Sequence, residues 1–121
     1  MVDIKKSKQY DLEDRTFEFA RRVRAFVKKL LKTLANIEDG KQLIRASGSV
    51  GANYIEANEA LSKKDFMMRI KICRKESKES RYWLRLVDTG GNKELEKERQ
   101  ELVIEAGELT HIFGSIATKR K

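Results

Sequence analysis

Residues 21–32 read RRVRAFVKKLLK, and this stretch decides the fold that the sequence predicts. Its apolar residues recur at steps of three and four, at Val23, Val27, Leu30 and Leu34. That spacing places side chains on one face of an α-helix. The same stretch holds six basic residues and no acidic one. It therefore predicts a helix that packs by one face and presents unneutralised positive charge on the other.

The composition extends this helical interpretation to the whole chain. The 121 residues include no proline, so nothing interrupts the backbone hydrogen bonds of long helices. Charged residues make up 38% and apolar residues 40%, a mixture that suits amphipathic helices because the apolar residues are periodic. A chain of this length predicts a single domain over residues 1–121.

Four helices are predicted, over about residues 14–36, 41–61, 63–88 and 93–117, with a basic tail at 118–121. The first break covers residues 36–40. Ser62 stands where the third helix needs an N-cap, while Gly90 and Gly91 end that helix and Asn92 caps the fourth. Connections this short make neighbouring helices antiparallel. The predicted fold is therefore all-α, an antiparallel up-down-up-down four-helix bundle.

The second predicted helix contains two glycines, each of which costs about 1 kcal/mol relative to alanine in a helix interior. They do not match a phosphate-binding loop, because Ala52 and Asn53 follow Gly51 where that loop needs Lys and then Ser or Thr. Small residues four apart let another helix approach closely. Two such pairs occur, Ser47 with Gly51 and Gly48 with Ala52. We therefore expect close helix packing here.

The chain has one histidine and one cysteine, which limits the chemistry of any site. His111 follows Glu108 in the Glu-x-x-His pattern of di-iron bundles, but those sites need a second such element. A zinc site and a Ser-His-Asp set fail for the same lack of partners. Cys73 lies on an apolar helix face and is predicted to be buried. We predict no metal, no cofactor and no enzymatic activity.

Two further features bear on location. The N-terminal residues MVDIKK are not followed by an apolar run, so they do not resemble a secretory signal. No apolar segment approaches the roughly 20 residues that cross a bilayer, so no membrane partner is expected. A lone cysteine fits a reducing compartment, and we predict a cytoplasmic protein.

Three polar residues interrupt otherwise apolar faces: Asn53 and Glu56 on the second helix and Glu76 on the third. Buried polar groups need hydrogen-bond partners. We expect them to pair with Arg45, with Arg69 or with one another. The alternative is that Glu56 and Glu76 face solvent.

The net charge of +8 favours a polyanion such as RNA or DNA as partner. The candidate nucleic-acid-binding residues are the cations of the opening stretch, Arg21, Arg22, Arg24, Lys28, Lys29 and Lys32. Positive charge also suits an acidic protein partner, or solubility alone. The alternative function is therefore a protein-binding scaffold without direct nucleic-acid contact.

Apolar residues beside the main stripes predict self-association. Phe19 and Phe26 are seven apart on the first helix. Tyr82 and Trp83 cannot both face the core, because consecutive helical positions lie about 100° apart. We predict an intersubunit surface that contains these four aromatic residues, because a second apolar stripe in water favours aggregation. Base stacking by Tyr82 and Trp83 is the alternative. The other residues of the predicted surface are Met68, Ile72, Val103, Ile104 and Ile112.

Four segments carry a family resemblance: QLIR at 42–45, SVGANYIEA at 49–57, SKKDF at 62–66 and KESKESRYWL at 75–84. With them the chain resembles the four-helix bundle proteins encoded in intervening sequences of bacterial 23S ribosomal RNA genes. The likeness runs from residue 10 through the fourth helix, although many relatives carry proline at Gly51.

This resemblance implies a ring-forming homopentamer with no attached enzymatic activity. It also implies structural roles for the motif positions Arg45, Ser49, Asn53, Glu56 and Glu76. A more distant similarity is to the accessory protein of diversity-generating retroelements, a basic pentamer that associates with a reverse transcriptase and with nucleic acid. That analogy favours nucleic-acid binding here.

Overall fold

The computed structural model describes residues 12–119, which form four α-helices and no strand. The helices are α1 (Leu12–Lys28), α2 (Leu34–Asn58), α3 (Lys63–Leu86) and α4 (Lys93–Lys119). Helices α1 and α3 each pack against both α2 and α4. The prediction of an all-α, four-helix fold is confirmed. None of the four is long and apolar enough to cross a membrane.

All four helices contribute to one core. Its largest fully buried side chains include Phe19, Phe26, Leu43, Ile70, Leu84, Leu102, Leu109 and Phe113. Burial of a side chain of this size contributes about 1.5–3 kcal/mol. Phe19 and Phe26 are 1% and 0% exposed, so their predicted role in an intersubunit surface is wrong. They share the buried stripe of Val23 and Leu30, and the core of their own chain covers them.

The boundary between the first two helices differs from the prediction. Helix α1 ends at Lys28 and α2 begins at Leu34, so all of the predicted break at 36–40 is helical and the connection lies at 29–33 instead. The cause is the N-cap Thr33, whose Oγ1 accepts a hydrogen bond from the backbone N–H of Asn36 at 3.1 Å. Asn36 Nδ2 also donates to the carbonyls of Leu31 and Asp88, at 3.0 and 2.9 Å. The Asn36 side chain therefore links the α1–α2 connection to the α3–α4 connection.

The other helix ends follow the predicted capping. Ser62 Oγ accepts from the N–H of Asp65 at 3.1 Å, and Asn92 Oδ1 accepts from the N–H of Leu95 at 3.0 Å. The two glycines before Asn92 have φ values of 67° and 77°, in the left-handed region. Helix α4 continues to Lys119. The last two residues of the predicted basic tail lie outside the described residues, as does the N-terminal stretch MVDIKK.

The small residues of α2 allow a close approach by α1. A Cβ atom at Gly51 would lie 2.9 Å from Thr16 Oγ1, and one at Gly48 would lie 3.2 Å from Arg24 Nη2. The predicted close helix packing is confirmed. It also explains why α2 accepts glycines at positions 48 and 51 in spite of their low helix propensity.

Candidate nucleic-acid interface

Several cations of the opening stretch are paired with carboxylates. Arg22 Nη2 lies 3.0 Å from Glu101 Oε1, and Lys29 Nζ lies 2.9 Å from Glu98 Oε1. Arg21 forms an ion pair with Glu18 in the same helix. The expectation of an unneutralised positive surface is therefore wrong for three of the six predicted binding residues.

Most of these carboxylates come from one row on α4. Glu98, Glu101, Glu105 and Glu108 recur at steps of three and four and lie beside α1. Arg15 completes the contact, with Nε 2.7 Å from Glu105 and Nη2 2.7 Å from Glu108. Its hydrogen bond to Glu105 raises the pKa of the Arg15 guanidinium above its ordinary value. The positive residues of α1 thus help to hold α4.

The other three predicted binding residues are Arg24, Lys28 and Lys32, and all are exposed. Arg24 Nη1 donates to the carbonyl of Ala20 at 3.2 Å. None of the three forms an ion pair with another residue of the 12–119 segment. Lys32 lies in the connection between α1 and α2, because α1 ends earlier than predicted.

A polar seam joins α2 to α3. Arg45 Nη2 donates to Glu76 Oε1 at 3.3 Å and to Glu79 Oε1 at 2.7 Å. Glu76 is only 6% exposed, so this guanidinium partner offsets the desolvation of a buried carboxylate. Glu56, by contrast, is exposed. The sequence allowed either a buried or a solvent-exposed position for Glu56 and Glu76. The structure buries Glu76 and exposes Glu56.

The same seam includes the amide of Asn53. Arg69 Nη1 donates to Asn53 Oδ1 at 2.9 Å, and Asn53 Nδ2 donates to the carbonyl and hydroxyl oxygens of Ser49, each at 2.9 Å. These contacts satisfy both ends of the amide. Four of the five motif positions implied by the resemblance therefore lie in hydrogen-bonded pairs. Their geometry fits a structural role, because their polar atoms bind directly to other side-chain or backbone groups of α2 and α3.

Cys73 and His111 do not form a reactive pair. Cys73 is fully buried, its Sγ donates to the carbonyl of Val50 at 3.4 Å, and burial raises its pKa to about 12. A thiol with this pKa stays protonated at neutral pH and is a poor nucleophile. His111 is exposed on α4. Within the described segment, no cluster of three or more His, Cys, Asp or Glu residues is placed to hold a metal ion.

The two adjacent aromatic residues of α3 face different surroundings. Trp83 packs against the core, and its buried indole Nε1 has no hydrogen-bond partner among residues 12–119. Tyr82 is 56% exposed. Their rings meet edge to face, with centroids 4.9 Å apart and planes at 82°. Tyr82 is thus the member of the pair that remains available to a neighbouring molecule.

Sequence reasoning raised base stacking and phosphate binding only for residues 81–85 and missed the rest of a second basic surface, on the outer side of α3. We call it the α3 basic face and define it by seven exposed cations: Lys64, Lys71, Arg74, Lys75, Lys78, Arg81 and Arg85. The available signal was a basic residue at every seventh position from Lys64 to Arg85. The signal was easy to overlook because acidic and apolar residues are interspersed with it.

The described residues form an all-α protein whose helices carry exposed basic residues. Hydrogen-bonded polar side chains join α2 to α3. Comparison with known proteins identifies its family. The family profile of the 23S rRNA-intervening sequence proteins matches residues 8–113, and the chain belongs to that family. The resemblance seen in the sequence is confirmed.

Among solved structures, one similar chain is a protein with unknown function from the S23 ribosomal protein family of Bacteroides thetaiotaomicron. It is 30% identical, and the match covers 87% of this chain and 96% of the other with a TM-score of 0.74. A search of curated proteins finds no match.

Proposed function

We propose that this protein is a non-enzymatic, self-associating four-helix bundle that binds RNA or DNA through its basic helix faces. The observation that carries the proposal is a set of exposed cations, on α3 and toward the end of α1, that form no ion pair within residues 12–119. Such cations gain by binding phosphates, because binding releases the counterions condensed on a nucleic acid. The net charge of +8 acts in the same direction.

The six predicted residues of the opening stretch belong to this proposal in two groups. Arg24, Lys28 and Lys32 are free to bind phosphate directly. The other three, Arg21, Arg22 and Lys29, have to exchange a carboxylate for a phosphate. Their contribution to affinity is smaller, since the gain of one ion pair is offset by the loss of another.

The proposed arrangement of helices is antiparallel, up-down-up-down. The order of ion pairs between α1 and α4 supports it, since partner positions on α4 fall as positions on α1 rise. Arg15 meets Glu105 and Glu108, Arg22 meets Glu101, and Lys29 meets Glu98. Short connections between consecutive helices act in the same direction.

Self-association is supported by large apolar residues that the chain leaves exposed. Phe17 is 68% exposed and Ile104 is 59% exposed, and Met68 and Tyr82 are about half exposed. Copies of the chain that cover such residues remove them from water. The proposed number of five copies in a ring comes from the family resemblance. We further propose a cytoplasmic location, which the single, reduced cysteine supports.

Two measurements test this function. The first is a fluorescence anisotropy titration with labelled RNA and DNA at low and moderate salt. Binding should fall with salt at a log–log slope of about −0.9 per duplex phosphate contacted, or about −0.7 for a single strand. Absence of binding at low salt contradicts the proposal. The second is sedimentation equilibrium, where a mass of 14.1 kDa at micromolar concentration contradicts self-association.

The alternative function is a scaffold for an acidic protein. Exposed apolar residues beside the cations favour it, because Met68, Tyr82 and Leu86 on α3 offer apolar contacts that a phosphate backbone does not use. Under this alternative, RNA and DNA fail to bind at low salt while the oligomer persists. The two functions are therefore distinguished by the same pair of measurements.

A further inference from the structure

We infer that the α3 basic face is the main nucleic-acid-binding surface and that it takes a single strand, with Tyr82 stacked on one base. The inference rests on the proposed function and deepens it, because it moves the contact from α1 to α3. The phosphate backbone is bound by the row of cations, and the aromatic ring contacts an unpaired base.

The cations of this face form a continuous line. Lys64, Lys71, Lys78 and Arg85 are each seven residues apart, so consecutive members are two helical turns apart. A straight helix drifts by about 20° per seven residues, which keeps the four side chains on one side of α3. From Lys64 to Arg85 the line is about 32 Å long, at 1.5 Å of rise per residue. That length spans several consecutive phosphates of an extended strand.

These cations are available because the carboxylates of α3 are turned elsewhere. The helix has only three acidic residues, Asp65 in its first turn, Glu76 and Glu79. Glu76 and Glu79 both pair with Arg45 of α2. The one ion pair that a cation of this face makes within residues 12–119 joins Lys75 Nζ to Glu76 Oε2, at 3.9 Å. At the other six cations of the face, phosphates can therefore bind without displacing a carboxylate of residues 12–119.

Tyr82 supplies a stacking platform within the row. It lies four residues after Lys78 and three before Arg85, so all three share one side of the helix. Its ring is 56% exposed and rests edge to face on Trp83, which packs against the core. The ring is thus held in place before any ligand binds. Bases of a duplex are already stacked on each other, so this feature favours a single strand.

A groove beside the face extends the phosphate-binding surface. It lies between α3 and α4, has a volume of about 620 Å³ and includes Arg74, Lys119 and His111 in its lining. Ser115 adds a hydroxyl group, whereas the hydroxyl of Thr110 in the same lining donates to the carbonyl of Ala106 at 2.8 Å. No carboxylate lines the described part of the groove. Its chemistry is that of side chains which contact phosphate and sugar oxygens.

The test compares two matched variants that each remove four positive charges. The α3 variant carries Lys71→Gln, Lys78→Gln, Arg81→Gln and Arg85→Gln. The α1 variant carries Arg21→Gln, Arg24→Gln, Lys28→Gln and Lys32→Gln, which include the three cations of this stretch without an ion pair in residues 12–119 and keep the ion pairs to α4. Both start from a net charge of +8, and removal of four charges leaves 8 − 4 = +4. Glutamine has nearly the helix propensity of lysine and arginine, so the helices should persist.

The probe is a labelled, unstructured single-stranded RNA of about 20 nucleotides, long enough for the 32 Å line, titrated at about 50 and 200 mM salt. We expect the α3 variant to lose at least about tenfold in affinity, and its salt slope to become shallower by about three, four contacts at roughly 0.7 each. The α1 variant should lose less than about threefold. Tyr82→Leu should weaken RNA binding about 5- to 100-fold and leave binding of a DNA duplex unchanged.

Each of the following outcomes would contradict one part of the inference or the proposed function. Equal losses in both variants, or a larger loss in the α1 variant, reject the α3 basic face while nucleic-acid binding stands. Equal affinity for duplex and single strand, with no effect of Tyr82→Leu, rejects the single-strand assignment. Polyglutamate binding as tight as that of RNA assigns the face to an acidic protein. No binding by the wild-type chain rejects the proposed function itself.

Circular dichroism and thermal melts of both variants control for folding. If the quadruple α3 variant does not fold, the pairs Lys71→Gln with Lys78→Gln and Arg81→Gln with Arg85→Gln replace it. Each pair should make the salt slope shallower by about 1.4, two contacts at roughly 0.7 each. An unchanged slope in both folded pairs rejects the inference.

Discussion

Helices α1 and α3 both carry a basic residue at every seventh position, but the two rows stand in different surroundings. In α1 the row is Arg15, Arg22 and Lys29, the last just past the helix end, and each cation meets a carboxylate of α4. In α3 the row from Lys64 to Arg85 is exposed and forms no ion pair within residues 12–119. Basic residues with the same spacing therefore pair with α4 in α1, whereas in α3 they form no ion pair within residues 12–119.

The apolar residues of the two helices differ in the same way. The aromatic residues Phe19 and Phe26 of α1 are buried in the core. Helix α3 also buries one face, yet Met68 and Tyr82 on its outer side remain about half exposed. Helix α1 leaves Phe17 68% exposed, so the contrast concerns its buried Phe19 and Phe26 and its paired cations and does not extend to the whole helix. A segment's composition alone does not show which of its faces stays free for a partner.

The largest expected effect tests the burial of α1. Phe26→Ala removes a fully buried ring from the core and should lower the free energy of unfolding by about 3–5 kcal/mol. Met68→Ala on the outer side of α3 is the control and should change it by less than about 0.5 kcal/mol. Urea unfolding followed by circular dichroism measures both. Similar losses in the two variants would show that α3 is covered as completely as α1.

The next effect concerns the polar seam on the inner side of α3. Asn53→Leu leaves Arg69 without its acceptor and Ser49 without its donor, so it should destabilise the chain by about 1–3 kcal/mol. Glu56→Gln, at an exposed position of α2, the helix that also carries Asn53, should have little effect on stability. A thermal melt that shows Asn53→Leu to be neutral or stabilising would mean that the seam adds no net stability.

Local features of this fold were predictable from the sequence, and long-range pairing was not. Ser62 and Asn92 cap helices through neighbours three residues away, so adjacent sequence contains the signal. The Gly51 contact followed from spacing alone. The α1 boundary was missed because Asn36 binds the backbone of Asp88, which is 52 residues away. The charge pairing of α1 was missed for the same reason, since its carboxylates lie on α4.

A smaller expected effect on stability compares one cation from each basic row, Arg15 of α1 and Lys71 of α3. Arg15→Gln should lower stability by about 1–2 kcal/mol, less than a fully buried pair, because Arg15 keeps 31% exposure. The loss should shrink at high salt, which already screens these pairs. Lys71→Gln on α3 removes one charge without removing an ion pair, and its stability should match the wild type within about 0.5 kcal/mol. A comparable loss in Lys71→Gln would reveal a partner for the α3 row.

The smallest expected effect has the opposite sign and uses the glycines. A Cβ atom at Gly107 of α4 meets nothing within 4 Å, whereas one at Gly51 of α2 lies 2.9 Å from Thr16 Oγ1. Gly107→Ala should therefore stabilise the chain by up to about 1 kcal/mol, the gain in helix propensity. Gly51→Ala should destabilise it, because Thr16 is held by a hydrogen bond to the carbonyl of Leu12 at 2.7 Å and cannot move freely.

The melting temperature of Gly107→Ala, measured at several protein concentrations, tests whether the groove between α3 and α4 stays exposed when copies of the chain associate. Gly107 lines the groove between α3 and α4, beside the α3 basic face. If that side is free, the added methyl group should raise the melting temperature equally at low and high protein concentration. If a second copy of the chain packs closely there, the gain should vanish or reverse as the protein assembles, since a methyl group then meets a neighbouring backbone. That reversal would show that self-association, and not a nucleic acid, covers the outer side of α3.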